Sequence, residues 1–304
     1  MKRFDAAQTA HALPYARLVP AIAVAAGELA TNRIHAPERQ VVGIGGRDVL
    51  LCMPATAPDI SVTKLITVHP DNPMRGLPAI QGEVIVFDTA SGRRLALLDG
   101  PTVTARRTAA VSLLGIDRLL PRTPATVLII GTGAQAVAHV DALVEYFDVR
   151  HFQIAARQLA SAEAFCTALR QRHRHIAVVA LASDTLHMQL PATDVIIALT
   201  SARAPVVPAH LPPHTLAIGV GAFKPDMAEL PPALLQARQI IVDDLAGARH
   251  EAGDLLQAQI DWAAVRPLAS VLPGEYRDAA LTPVLKTVGQ AAWDLAAARV
   301  ALGG

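Results

Sequence analysis

Residues 126–140 read TVLIIGTGAQAVAHV, which is the order of residue types expected for a buried strand, a tight turn and a helix. The turn carries the pattern G-x-G-x-x-A at Gly131, Gly133 and Ala136. Alone, such a glycine pattern says little. Here a run of apolar β-branched residues precedes it, about three helical turns follow, and a second strand, HFQIAA (151–156), comes next. In that setting Gly131 permits the tight turn and Gly133 lets backbone amides approach a pyrophosphate. Ala136 keeps the helix close to the sheet, and the positive end of the helix faces the phosphates. A dinucleotide site is therefore expected at Gly131, Thr132, Gly133, Ala134 and Gln135.

The end of the second strand bears on the choice of dinucleotide. A site for NAD usually places an acidic residue there, against the ribose 2′-hydroxyl. This chain has AARQ (155–158) and no acid; Arg157 instead offers a guanidinium suited to a 2′-phosphate. NADP(H) is the expected cofactor, with NAD(H) as the alternative. Further strands, IAVVA (176–180), DVIIAL (194–199), TLAIGV (215–220) and QIIVDD (239–244), alternate with helical segments. That rhythm predicts an α/β chain with a Rossmann-type, doubly wound parallel sheet over residues 117–287.

The residues before it read differently. VLLCM (49–53) and VTKLITV (62–68) have strand character, and GEVIVFD (82–88) and RRLALLD (93–99) flank TASG as a hairpin. A strand-rich α+β substrate and dimerisation domain is expected over 1–116, joined by a C-terminal helix at 288–304. Within VTKLITV, strict alternation places Lys64 on the same side as Val62, Ile66 and Val68. Either an edge-strand lysine snorkels to water there, or an anion awaits it. A helix predicted from Pro101 to about Leu114 repeats the anomaly. Arg107 falls within the apolar stripe of Val103, Ala110, Val111 and Leu114, whereas Arg106 lies off it. No acidic partner for Lys64 is apparent in the nearby sequence, so two unpaired inward cations suggest an anion pocket.

Composition excludes several classes of function. The 304 residues are 52% hydrophobic and only 4% aromatic, with a formal net charge of +1. Neither a nucleic-acid surface nor an anionic membrane partner is expected from that balance. The run RQRHRH (170–175) fits a cationic helix C-terminus. Two cysteines, Cys52 and Cys166, make no framework or metal spacing, which fits a reducing cytoplasm. His210 and His214 lie among prolines, so no metal site is expected. The apolar run at 21–30 is short and reads as an ordinary helix rather than a signal peptide or a membrane span.

Several segments in one order resemble the ornithine cyclodeaminase and mu-crystallin family: MPA (53–55), TKL (63–65), NPMRGLP (72–78), LLDGPTVTARRTAA (97–110), IIGTGAQA (129–136), GAFKPDMAEL (221–230) and EAGDL (251–255). The resemblance implies a two-domain homodimer whose amino-acid or imino-acid substrate sits between the nicotinamide and the first domain. It matches Lys64 to the family's active-site lysine, and Arg107 and Arg39 to arginines that hold the substrate carboxylate. Thr108, beside Arg107, joins the residues expected at the cofactor. Ornithine cyclodeaminases similar to this chain carry an aspartate where Phe223 stands, and a phenyl ring can neither take a proton nor pair with an ammonium. The resemblance thus favours reduction of a cyclic ketimine acid, Δ1-pyrroline-2-carboxylate or Δ1-piperideine-2-carboxylate, to L-proline or L-pipecolate. Cyclisation of ornithine and non-catalytic binding of NADPH and a small ligand are the alternatives.

Overall fold

A computed structural model of the chain describes residues 1–274, 276 and 279–303. It divides into two compact units, Met1–Val111 with Gln290–Gly304, and Ser112–Gly289. The expected change of domain after residue 116 and the observed division fall in the same helix.

The first unit opens with β1 (Lys2–Arg3), α1 (Ala6–Ala12) and α2 (Tyr15–Ala30). The Asp5 carboxylate accepts from the Gln8 amide and the Gln8 side chain reaches back to the Asp5 amide, a reciprocal cap that starts α1. Then come β2 (Gln40–Gly45), β3 (Asp48–Thr56), β4 (Ile60–Val68), β5 (Ile80–Asp88) and β6 (Arg94–Asp99). They form one sheet in the order β1-β6-β5-β4-β3-β2, antiparallel from β2 to β6. The register sets Met53 opposite Lys64, Lys64 opposite Val84, and Val84 opposite Leu98. Every member of that row is buried, and Lys64 is its one charged side chain. β4 is therefore a central strand, and an edge lysine reaching water is ruled out.

α3 (Gly100–Leu119) follows β6 and runs five residues beyond the predicted Leu114; its last turns also bury Ile116 and Leu119, which lie off the stripe that ends at Leu114. The Asp99 carboxylate accepts from the Thr102 amide at its start. The second unit contains β7 (Thr126–Ile130), α4 (Ala134–Phe147), β8 (His151–Ala156), α5 (Leu159–Arg172), β9 (Ala177–Ala182), β10 (Val195–Ala198), β11 (Leu216–Gly219), α6 (Pro232–Ala237), β12 (Ile240–Val242), α7 (Leu245–Glu251), α8 (Gly253–Gln257), β13 (Arg266–Pro267) and β14 (Val284–Lys286). Among the described residues its eight strands are all parallel, in the order β13-β12-β14-β11-β10-β7-β8-β9. The strand order reverses between β7 and β10, which is where open parallel sheets hold their ligands.

The tail corrects one expectation. The C-terminal helix expected at 288–304, α9, begins only at Ala291 and ends at Leu302, and Val284–Lys286 before it is a strand between β11 and β12. α9 belongs to the first unit and packs on α2 and on β3, β4 and β5. It is buried nearly all round, as its run of alanines requires. No single helix among the described residues is long and apolar enough to cross a membrane; α1 and α2 pass such a test only together, and they are bent by 73°.

Candidate active site

In the second unit, the turn after β7 has the geometry that its glycines predict. Gly131 has φ +119°, and a Cβ there would lie 2.6 Å from the Leu199 carbonyl oxygen at the end of β10. Only glycine satisfies both conditions. At Gly133 the opposite holds: a Cβ would meet nothing within 4 Å. Gly133 is also the N-cap of the 14-residue α4 and makes no side-chain cap, which leaves the helix N-terminus facing open space. An open cradle at the positive end of a helix fits a pyrophosphate. Thr132 and Gln135 are partly exposed, and Ala134 is exposed, around the same turn. Arg157 follows β8 and is exposed.

The loops that leave β10 and β11 are held together by a carboxylate that no sequence pattern singled out. Glu229 is buried, and it accepts from the Thr200 amide at 2.6 Å, the Thr200 hydroxyl at 2.8 Å, the Gly221 amide at 2.7 Å and the Ala222 amide at 3.1 Å. Burial pushes its carboxyl above the ordinary range, while the Lys286 ammonium and the Thr200 donors pull it down. Lys286 lies 3.2 Å from Asp254, and Asp254 accepts from the Leu230 amide at 2.7 Å. Both Lys286 and Asp254 are buried. In the same unit, His139 of α4 sits between the Ser112 hydroxyl, 3.0 Å from Nε2, and the Gln135 carbonyl, 2.8 Å from Nδ1. Burial lowers its pKa to about 4, so it is a neutral tie between α3 and α4.

In the first unit, the two anomalous cations meet. Lys64 on β4 is 1% exposed and Arg107 on α3 is 6% exposed. The expectation that they are unpaired is corrected by Asp294, in the first turn of α9 and 0% exposed. Its Oδ2 lies 2.9 Å from Lys64 Nζ, its Oδ1 accepts from the same nitrogen at 3.1 Å, and Arg107 Nε stands 3.4 Å from Oδ1. One carboxylate is thus shared by two cations, and with Lys64 protonated the three side chains carry a net charge of +1. Burial lowers the Lys64 pKa to about 7; Asp294 opposes that shift, while Arg107 and Arg39 add to it. Arg39, just before β2 and partly buried, is therefore near enough to act on Lys64. Thr108 is buried on α3 beside Arg107, in the first unit. A buried cluster with surplus positive charge suits a small anion, and a lysine that ionises near neutrality suits proton transfer.

Compared with known proteins, residues 15–302 match the family described as Ornithine cyclodeaminase/mu-crystallin family. The chain belongs to that family. Among its relatives, Δ1-pyrroline-2-carboxylate reductase 2 of Burkholderia ambifaria is 44% identical over 299 residues, covering 98% of this chain and 94% of the relative. The Δ1-pyrroline-2-carboxylate/Δ1-piperideine-2-carboxylate reductase of Azospirillum brasilense is also 44% identical, with the same coverage. Ketimine reductase mu-crystallin of Mus musculus is 32% identical over 87% of this chain and 83% of its own length. The fold matches that of Thermococcus litoralis Δ1-pyrroline-2-carboxylate reductase, solved with NADH and L-proline, at a TM-score of 0.88 and 24% identity over 99% of this chain and 96% of that one. Phe223 is the residue that the resemblance sets where ornithine cyclodeaminases carry an aspartate. It is 40% exposed, with Lys224 Nζ 5.8 Å from the ring centroid.

Proposed function

We propose that this chain is a cytoplasmic NADPH-dependent reductase of small cyclic ketimine acids, converting Δ1-pyrroline-2-carboxylate or Δ1-piperideine-2-carboxylate to L-proline or L-pipecolate. The observation that carries this reading is the buried Lys64–Asp294–Arg107 cluster with its surplus positive charge. The reductases at 44% identity support the substrate class. The turn from Gly131 to Gln135 would hold the pyrophosphate and Arg157 the 2′-phosphate, with Thr108 a further contact. When bound, the nicotinamide supplies the hydride. Arg107 and Arg39 hold the substrate carboxylate, and the charge on Lys64 reinforces them. Lys64 Nζ gives its proton to the imine nitrogen, so the C=N bond becomes CH–NH. Fixing the ring in one orientation lowers the barrier chiefly through placement and electrostatics.

The test is a panel: the two cyclic ketimines with NADPH or NADH, and ornithine with NAD+, followed by nicotinamide absorbance and ammonia release. Ketimine-dependent oxidation of NADPH is expected, with no efficient release of ammonia from ornithine, because Phe223 offers no carboxylate for the second amine. Robust ammonia release would overturn the reading. Arg157→Ala is expected to weaken NADPH binding about ten-fold or more while leaving NADH nearly unchanged, through loss of a charge-assisted phosphate contact. Equal losses for both cofactors would contradict the NADP(H) preference.

We also propose a homodimer formed through the outer face of the six-stranded sheet. Leu65, opposite the inward row, is 41% exposed, and Val42 on β2 is exposed with it. Sedimentation equilibrium is expected to give the mass of two chains, and Leu65→Glu to shift it towards one.

A further inference from the structure

We propose that Asp294 is a positioning residue that keeps Lys64 charged in its buried seat and turns Arg107 so that its guanidinium fork, rather than its Nε edge, meets the substrate carboxylate. This rests on the reading of Lys64 and Arg107 as the substrate-facing groups, and it assigns the role of the group behind them. Three observations support it. The carboxylate spans both cations, with Oδ2 on Lys64 at 2.9 Å and Oδ1 3.4 Å from Arg107 Nε. The closest contact with Arg107 runs through Nε, which leaves its Nη pair for bidentate recognition of another carboxylate. Asp294 also stands in the first turn of α9, where the positive end of the helix favours the ionised carboxylate.

The surroundings of Lys64 show why such a group is needed. Its neighbours across the sheet are Met53 on β3 and Val84 on β5, both apolar. From α3 it faces Arg107, from α9 Asp294, and Arg39 contributes from the segment before β2. Asp294 is the only one of these that favours the ammonium over the free amine. Without it, desolvation and two cations would all act to discharge Lys64, and a discharged lysine has no proton to give.

The sign of the pH effect follows. Activity that requires protonated Lys64 is present below its pKa, about 7, and is lost as pH rises through it. Asp294→Asn removes the raising influence and so moves that loss to lower pH. The measurement uses protein carrying lysine isotope-labelled at the ε carbon. The four lysines, Lys2, Lys64, Lys224 and Lys286, give four NMR resonances, and Lys64→Met identifies one of them. In Asp294→Asn the Lys64 midpoint is expected to fall by about one pH unit or more, the usual size for loss of an adjacent opposite charge. The alkaline limb of kcat is expected to move with it, and KM for the ketimine to rise as Arg107 loses its anchor. An unmoved midpoint in folded protein, judged by NADPH binding and a melting curve, overturns the proposal. If the single variant does not fold, Arg107→Met supplies a background without the stranded guanidinium. Adding Asp294→Asn there must still lower the midpoint, and failure to do so equally overturns the proposal. The midpoint needs no turnover. A midpoint that moves with a rate profile that does not upholds Asp294 as the keeper of the charge and rejects Lys64 as proton donor.

Discussion

Lys64→Met is expected to lower ketimine turnover by about 10²-fold or more, the range for losing an acid–base group, while leaving NADPH binding close to wild type. Breaking a buried ion pair usually costs several kcal/mol, because the surviving partner is left unpaired. That penalty is reduced here: without Lys64, Asp294 still has Arg107 Nε at 3.4 Å, and the remaining pair is neutral. Methionine also keeps an unbranched apolar stem between Met53 and Val84. The dinucleotide turn lies in the other unit, so cofactor affinity reports on folding independently of turnover. Activity within a few-fold of wild type would remove Lys64 from the chemistry.

Arg107→Met is expected to act mainly on substrate binding. The variant keeps Lys64 and Asp294 as a neutral pair, so the surplus positive charge that suits the substrate carboxylate is lost from the cluster. Two charge-assisted hydrogen bonds at about 1.5–3 kcal/mol each set the scale. KM for the ketimine should rise by roughly a hundred-fold or more, with a smaller fall in kcat as the ring loses its orientation. Steady-state kinetics at saturating NADPH separate the two parameters. An unchanged KM would mean that the carboxylate is held elsewhere.

Much of this site was legible in the sequence because periodicity exposes residues that are out of place. Lys64 breaks a period of two and Arg107 a period of 3.6, and both prove to be buried. The G-x-G-x-x-A turn was legible for a different reason: backbone geometry at Gly131 tolerates no other residue. Asp294 was not, since it lies 230 positions from Lys64, and an aspartate in an alanine-rich helix looks like a residue on a solvated face. Only the burial of α9 on every side makes it an inward charge. Glu229 escaped because its partners are loop residues, the amides of Thr200, Gly221 and Ala222 and the Thr200 hydroxyl, which leave no periodic pattern. β14 was missed because three residues, Val284–Lys286, are too few to show a strand pattern of their own. β2 carries no alternation at all, being exposed along its whole length, so Arg39 beside it could be placed only by resemblance.

The most direct test of the central claim is to follow the hydride into the product. Purified protein is incubated with Δ1-pyrroline-2-carboxylate and NADPH carrying deuterium at both C4 positions, and the product is resolved by chiral chromatography and mass spectrometry. The expected result is L-proline with one deuterium on its α-carbon, formed in step with NADPH loss and slowed together with turnover in Lys64→Met. Absence of labelled proline, with NADPH bound but not consumed, would contradict the claim that this chain is a ketimine reductase.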